Sequence, residues 1–495
     1  MNEHHETLLA FMQTQGFVWG PAPELYGGAA GFYTYGPNGT LLKRRVEEKI
    51  RTLFSTHEFF EVETPTILPA IVWEASGHLG GFTDPLVRDA DGGVWRADKL
   101  LEEHYAKHDI KTPVPVHNDE LLKAIKATNM QAPNGKKLLD EITNHSLMMR
   151  TTIGTEIEGY NRPETATATY LPFLRYREHF RKKLPFGVFQ IGKAYRNEIS
   201  PRQHLVRMRE FTQAEAQLFL DPQEKEMHEQ YARIKDTVLP LLSWEQQVRE
   251  GEPENMSIQE AMHKKLFGSN AYAYGIHLAY TLFTSFGIPE KNIRLRQHGP
   301  EEKAFYASDA WDVELYLPSF GWTEACGIHD RTDYDLRQHA KHSKQELDIF
   351  IEERREKVIP HILEIAFGVD RPVFALMDIF YEQKSEQEGM STFNIPYELA
   401  PVHVAVLPLQ KKLSTTARNV YAMIQQQGFV AIYDETASIG KRYLRQALIG
   451  TPYCVTIDFE TEENNTVTVR DRDSQAQERI PIAELETFLR STYKR

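Results

Sequence analysis

The stretch 185–220, PFGVFQIGKAYRNEISPRQHLVRMREFTQAEAQLFL, constrains the fold more than any other part of the chain. It reads as two strands joined by the loop ISPRQH, with Pro201 as punctuation. The architecture expected of the chain is an antiparallel sheet flanked by helices, an α+β fold. The Gly-rich phosphate loop of a parallel nucleotide-binding sheet does not occur in the sequence.

Other segments fit around that hairpin. Residues 38–54 place Leu42, Val46, Ile50 and Leu53 at helical spacing, with Glu47 and Arg51 four apart in the favourable order. FFEVETPTILP follows as a strand closed by prolines. Residues 98–150 are polar and weakly patterned and read as an insertion, and 222–290 read as mainly helical. WDVELYLPSFGWTEACGIH gives two strands, and LEIAFGVDRPVFALM a strand entering a helix at Gly368. Near Ala400-Pro401 the grammar changes to strands alternating with helices, ending in a helix from Pro481 that buries Ile482, Leu485 and Leu489. We expect one domain over 1–399 and a smaller α/β domain over 400–495.

Net charge is −13 over 495 residues, which at first sight disfavours a nucleic-acid partner. Distribution matters more than the total. Residues 401–495 carry 12 basic and 11 acidic side chains, so the deficit lies in the first 400. Basic residues also cluster: Arg175, Arg177, Arg181, Lys182 and Lys183, then Lys193, Arg196, Arg202, Arg207 and Arg209. Two cysteines, Cys326 and Cys454, cannot build a zinc ribbon or a disulfide framework. Neither an export signal nor an apolar run of membrane-spanning length is visible, so a cytoplasmic protein with no membrane partner is expected.

Chemistry concentrates in two places. In AYRNEIS, Arg196 and Glu198 alternate along what reads as a strand and would share a face. In GVDR, Arg371 follows a glycine at a strand-to-helix junction. Two fixed arginines at one cleft suit a polyphosphate, because guanidinium forks match phosphate oxygens bidentately. Taken alone, the Arg196–Glu198 pair could equally be a structural ion pair.

The longer text resembles a known family. The helix at 38–54 with the strand ending at Pro65, YRNEISPRQHLVRMREF, and GVDR resemble motifs 1, 2 and 3 of the class II aminoacyl-tRNA synthetases. ELYGGAAGFYTYGPNGTLLKRRVEEK, VWEASGHLGGFTDPLV, RAD at 96–98, RPET at 162–165, REFTQAE at 209–215 and RTDYDLRQH at 331–339 resemble the single-chain, dimeric glycyl type. GTPYCVTID and TVTVRDRDS resemble its anticodon-binding domain.

The resemblance implies a ligase that joins glycine to the α-phosphorus of ATP and passes it to the end of tRNA. It implies a homodimer through motif 1, magnesium held by Glu324, and, in this chain, no zinc. By it, Arg196 would hold the α-phosphate, Glu198 the adenine amino group, Phe211 would stack on adenine, and Arg371 would clamp the γ-phosphate. Asn197, Val206, Arg207, Met208, Arg209, Glu210, Ala325, Gly368, Val369 and Asp370 complete the implied ATP set. The implied glycine set is Arg96, Glu164, Phe211, Thr212, Gln213, Ala214, Glu215, Glu364, Ala366 and Gly368, with the three glutamates on the ammonium.

The chain departs from the family pattern at four places. RPETAQG becomes RPETATA, placing Thr167 and Ala168. Ala366 stands where a serine usually helps define the glycine site. VRDADGGVW lacks the cysteines of a zinc element, and Ala447 and Leu448 replace an acidic pair. Two other readings stay open: a catalytically silent synthetase-like nucleic-acid-binding protein, and a ligase for another small amino acid. A silent relative has no reason to keep Arg196, Glu198 and Arg371 together.

Overall fold

The computed structural model describes residues 3–115, 117–199, 201, 203–304, 306–384 and 391–492. Helix α1, Pro37–Thr56, begins at a proline, whose missing N–H is no loss in a first turn. It buries Leu42, Lys43, Val46, Ile50 and Phe54 and leads into β1, Phe59–Glu61. Ile67–Pro69 belongs to a separate small sheet, so FFEVETPTILP is two strands rather than one.

Next comes a lobe built from β2 (Thr83–Asp89), β3 (Val94–Arg96), α2 (Ala97–Lys107), α3 (Asn118–Thr128) and β4 (Leu138–Ser146). It has its own core of Val87, Leu101, Leu121, Ile125 and Leu138. The expected insertion at 98–150 thus includes the two strands before it. At the β2–β3 turn the Asp89 carboxylate accepts from Asp91 N, Gly93 N, Trp95 Nε1 and Asn134 Nδ2, all at 2.7–2.9 Å.

The short helix α4, Ala166–Tyr170, precedes the hairpin β5 (Phe186–Tyr195) and β6 (Glu210–Leu220), which pairs antiparallel over its whole length. Within 222–290 the structure differs from a mainly helical segment. It holds β7 (Val238–Leu242) and β8 (Glu254–Ser257) before the buried helix α5 (Asn270–Ser285). Both strands are short, and Pro240 interrupts the β pattern in β7.

Strands β9 (Ile293–Gln297), β10 (Asp309–Leu317), β11 (Gly321–Asp330) and β12 (His361–Gly368) complete the main sheet, and helix α6 (Asp370–Phe380) leaves the end of β12. The sheet has nine strands in the order β8-β7-β9-β10-β11-β12-β6-β5-β1. All neighbours are antiparallel except β7–β9 and β5–β1. One face packs α1, α5 and α6 over a large apolar core.

A second sheet follows: β13 (Val404–Pro408), α7 (Ser414–Gln426), β14 (Ala431–Tyr433), α8 (Ile439–Leu448), β15 (Tyr453–Ile457), β16 (Thr466–Asp471) and β17 (Gln477–Pro481). Its order is β14-β13-β15-β16-β17, with a separate core. Pro481 closes β17 and does not begin a helix; a 3-10 turn intervenes before α9, Leu485–Thr492. The strand is thinly apolar, with only Ile480 buried, so its sequence carries little strand signal.

Candidate active site

The face of the main sheet opposite the helices forms a cleft of about 420 Å³. Strand alternation decides what enters it. On β12, Leu363, Ile365 and Phe367 lie in the core, so Glu364, Ala366 and Gly368 face the cleft. On β6, Ala214, Ala216 and Leu218 take the core side, which turns Gln213 and Glu215 outward. On β11, Gly327 and His329 face out between the core residues Cys326 and Ile328. Register then aligns one row across the floor: Asp312, Gly327, Ala366, Glu215.

One end of the cleft is cationic and aromatic. Arg196 lies over the rings of Phe82 and Phe211 at 5.4 and 5.5 Å, with Nε donating to Pro163 O at 3.1 Å. Arg207, Glu198, Val206, Met208, Ala325 and Arg371 line the same end. Arg371 Nη1 donates to Glu324 O at 2.8 Å and Oε1 at 3.2 Å. Arg196 and Glu198 do not alternate on a strand as expected, because β5 stops at Tyr195. There the backbone changes partners: Tyr195 N donates to Arg162 O and Asn197 N to Leu147 O. One hairpin bond survives, Arg196 N to Arg209 O at 2.9 Å.

The other end is acidic and buried. Glu164 accepts from Thr167 Oγ1 at 2.8 Å and lies 3.5 Å from His78 Nε2. Burial alone would raise this carboxyl, but His78 and Arg331 outweigh it and hold it well below the ordinary range. Glu364 accepts from Tyr170 Oη at 2.9 Å and from Arg331 Nη1 at 3.2 Å. Its burial is likewise opposed, by Arg331 first, and the net shift is downward. Arg331 is itself braced by Asp335 at 2.8 and 2.9 Å.

Glu215 differs from the other two. Burial, then repulsion from Glu364 and Glu164, push it well above the ordinary carboxylate value, although Thr165 Oγ1 (2.7 Å) and Gln213 Nε2 (2.5 Å) donate to it. Three convergent carboxylates, one of them strained toward its neutral form, make a site that gains from an incoming cation. Arg96 stands at the rim with Nη1 3.2 Å from Asp84 and Nη2 2.5 Å from Asp98.

Six residues of the sequence-derived set stand off the cleft. Ala214 and Val369 point into the core. Glu210 pairs with Lys193 at 3.0 Å, and Arg209 reaches Glu198 O and Ala30 O. Thr212 accepts from Lys43 at 2.6 Å, and Asn197 O accepts from His145. Asp370 touches the cleft but is engaged: Lys43 Nζ (2.7 Å), Tyr35 Oη (2.5 Å) and Thr212 N (2.6 Å) all donate to it.

Thr167 holds Glu164, whereas Ala168 packs beside Leu68, Trp73 and Met148, away from the cleft. Sequence reasoning missed Phe82, Tyr306, Gly327, His329 and Arg331. Arg331 opens the quoted RTDYDLRQH segment and His329 lies two residues before it, but nothing local says that they meet Glu364. Arg202 of the basic cluster lies outside the described residues.

A divalent cation needs oxygen ligands. Glu324 offers one at the cleft rim, half-exposed, with Oε1 on Arg371. Among the described residues, His298, Glu302 and Asp312 also bring ligand atoms within 4.8 Å of one another. There Glu302 is already clasped by Arg296 at 2.8 and 2.9 Å.

Comparison with known proteins adds the following. Residues 160–380 match the family described as tRNA synthetase class II core domain (G, H, P, S and T), and 403–492 match the anticodon binding domain. A glycine–tRNA ligase of Pyrococcus furiosus is 38% identical over 98% of this chain and 98% of its own length. One from Methanocaldococcus jannaschii is 36% identical over 99% of each. Among solved structures, a Cryptosporidium parvum structure described as the RNA binding domain of threonyl-tRNA synthetase aligns with a TM-score of 0.61 at 17% identity, covering 97% of both chains. Prolyl-tRNA synthetase of Giardia lamblia, in complex with prolyl-adenylate, aligns with 0.61 at 14% identity, covering 98% of this chain and 74% of that one. At such identities the likeness speaks for the fold alone.

Proposed function

Because this chain belongs to the glycine–tRNA ligases of class II, we propose that the cleft is where glycine and ATP are joined. The protein is an aminoacyl-tRNA ligase that charges tRNA with glycine, and it uses ATP. The observation that carries the assignment to this cleft is its polarity: half-buried Glu164 with buried Glu215 and Glu364 at one end, Arg196 and Arg371 at the other.

The glutamates take the ammonium of glycine, which directs its carboxylate toward Arg196. A carboxylate oxygen attacks the α-phosphorus of ATP; the new O–P bond forms as the bond to the bridging oxygen breaks and pyrophosphate leaves. Charge grows on the transferring phosphoryl oxygens, and Arg196 stabilises it; its position over the rings of Phe82 and Phe211 supports that role. Glu198 holds the adenine amino group, Phe211 its face, and Arg371 the terminal phosphate. Magnesium bound at Glu324 would neutralise phosphate charge. In the second step a terminal ribose hydroxyl of tRNA attacks the activated carbonyl and AMP departs.

We also assign tRNA recognition to 400–495, and a twofold dimer through α1 and the segment before it, where Leu25 and Tyr26 project as exposed apolar side chains. The expected place of action is the cytoplasm; among the described residues no helix is long and apolar enough to cross a membrane.

Pyrophosphate exchange with glycine, alanine and serine tests the reading. Glycine should give the highest kcat/KM, and Arg196→Ala should lower exchange about a hundredfold or more. Preference for alanine or serine would make the protein a ligase for another small amino acid. Absence of exchange with all three would favour the silent binding protein.

A further inference from the structure

Across the cleft floor, Gly327 and Ala366 stand side by side between Asp312 and Glu215. On that reading of the cleft, an amino acid whose ammonium rests on Glu215 and Glu364 would have its α-carbon above this bare pair. A hydrogen and a methyl leave room, so the floor by itself does not refuse a side chain.

Something else fills the space. A β-carbon placed on Gly327 would come within 2.6 Å of His329 Cε1, 3.4 Å of Nδ1 and 3.5 Å of Nε2. The imidazole, two residues along the same strand face, is therefore folded back over Gly327. The absence of a side chain at 327 is what lets it lie there. It is braced on two sides. Nδ1 is 3.4 Å from Glu364 Oε1, and the ring meets His298 edge-on at 5.9 Å between centroids. His298 is in turn tied to Asp312 at 2.8 Å. A ring held this way acts as a fixed wall, since turning it aside would break its packing against His298 and Gly327.

We propose that the His329 imidazole, seated over Gly327, is the specificity-determining wall that excludes a β-carbon and so selects glycine over alanine and serine. The inference rests on the cleft being the glycine site. Residue 366 then has a lesser part, since its methyl lies in the floor while the ring closes the side.

Three variants test this, read as kcat/KM in pyrophosphate exchange. His329→Ala should raise the alanine-to-glycine ratio about tenfold to a hundredfold, the range for space the size of a methylene or more. Gly327→Ala, which pushes the ring toward the substrate, should raise the KM for glycine about tenfold. Combining Gly327→Ala with His329→Ala should restore glycine use, because the added methyl no longer meets a ring; a merely structural role for His329 predicts no such rescue. An unchanged ratio in His329→Ala would overturn the proposal. If that variant does not fold, an unchanged glycine KM in Gly327→Ala would overturn it instead. Failure of the unaltered protein to exchange with glycine is a different result and counts against the function assigned to the cleft.

Discussion

Glu215 is a carboxyl placed where an anion is unfavourable: buried and beside two other glutamates, which the hydrogen bond from Thr165 and the more distant Arg331 offset only in part. Its folded value lies above the ordinary 4.5, so above that pH the folded protein holds a proton that the unfolded chain has released. The stability tied to that proton is full below 4.5 and is lost as pH rises through the folded value. Glu215→Gln removes the loss. This variant should melt higher than the parent at neutral pH, while glycine binds about tenfold or more weaker for want of a charged partner. Scanning calorimetry and glycine titration check the two halves. Because an ammonium favours the ionised form, glycine binding to the parent should release protons, seen as a buffer-dependent binding enthalpy. At this scale Glu364, Ala366 and Gly368 were legible through the family resemblance, and strand alternation explains why the three share one face. It was not readable for His329 and Arg331, whose meaning lies in strands far away in the chain.

Helix α1 is joined to the site through one side chain. Lys43 reaches both Asp370 at the start of α6 and Thr212 on β6, so the motif 1 helix, the residue just past motif 2 and motif 3 meet at a single buried ammonium. Lys43→Met should cost about 3–5 kcal/mol, the scale of stranding a buried partner charge, measured by denaturant unfolding. It should also raise the KM for ATP, because Arg371 is the next residue after Asp370. A variant as stable as the parent would show that Tyr35 and Thr212 N suffice for Asp370. The helix was legible from its apolar spacing, and Glu47 does meet Arg51, at 3.7 Å. That Lys43 turns inward was not, since a lysine among Lys, Arg and Glu reads as surface. β7 was missed because Pro240 breaks its strand pattern, and β8 and β17 because short strands at a sheet edge carry few apolar residues.

In the whole molecule the two sheets have separate cores, and α1 meets the connection between them through Lys49 with Glu398 and Arg45 with His403. Removing 401–495 should reduce tRNA charging at least about tenfold more than glycine-dependent exchange. Equal loss in a folded protein would contradict the division of labour. Sedimentation at micromolar concentration should give a dimer; a monomer would count against the interface assigned to α1. The change of pattern near residue 400 was legible because alternating strands and helices differ from long antiparallel strands. The order of the main sheet was not legible, for β6 lies beside β12 while β7 to β11, which come between them in the chain, lie beyond β12. That order has a consequence for the chain as it is being made. The β5–β6 hairpin leaves the ribosome carrying Arg196 and Glu215, with the edge that awaits β12 open. On the order of ten seconds of synthesis separate it from its neighbour. Through that interval Glu215 waits without Arg331 or Glu364, and an unpaired edge invites wrong partners. The floor of the cleft therefore cannot be complete until β12 lies between β6 and β11.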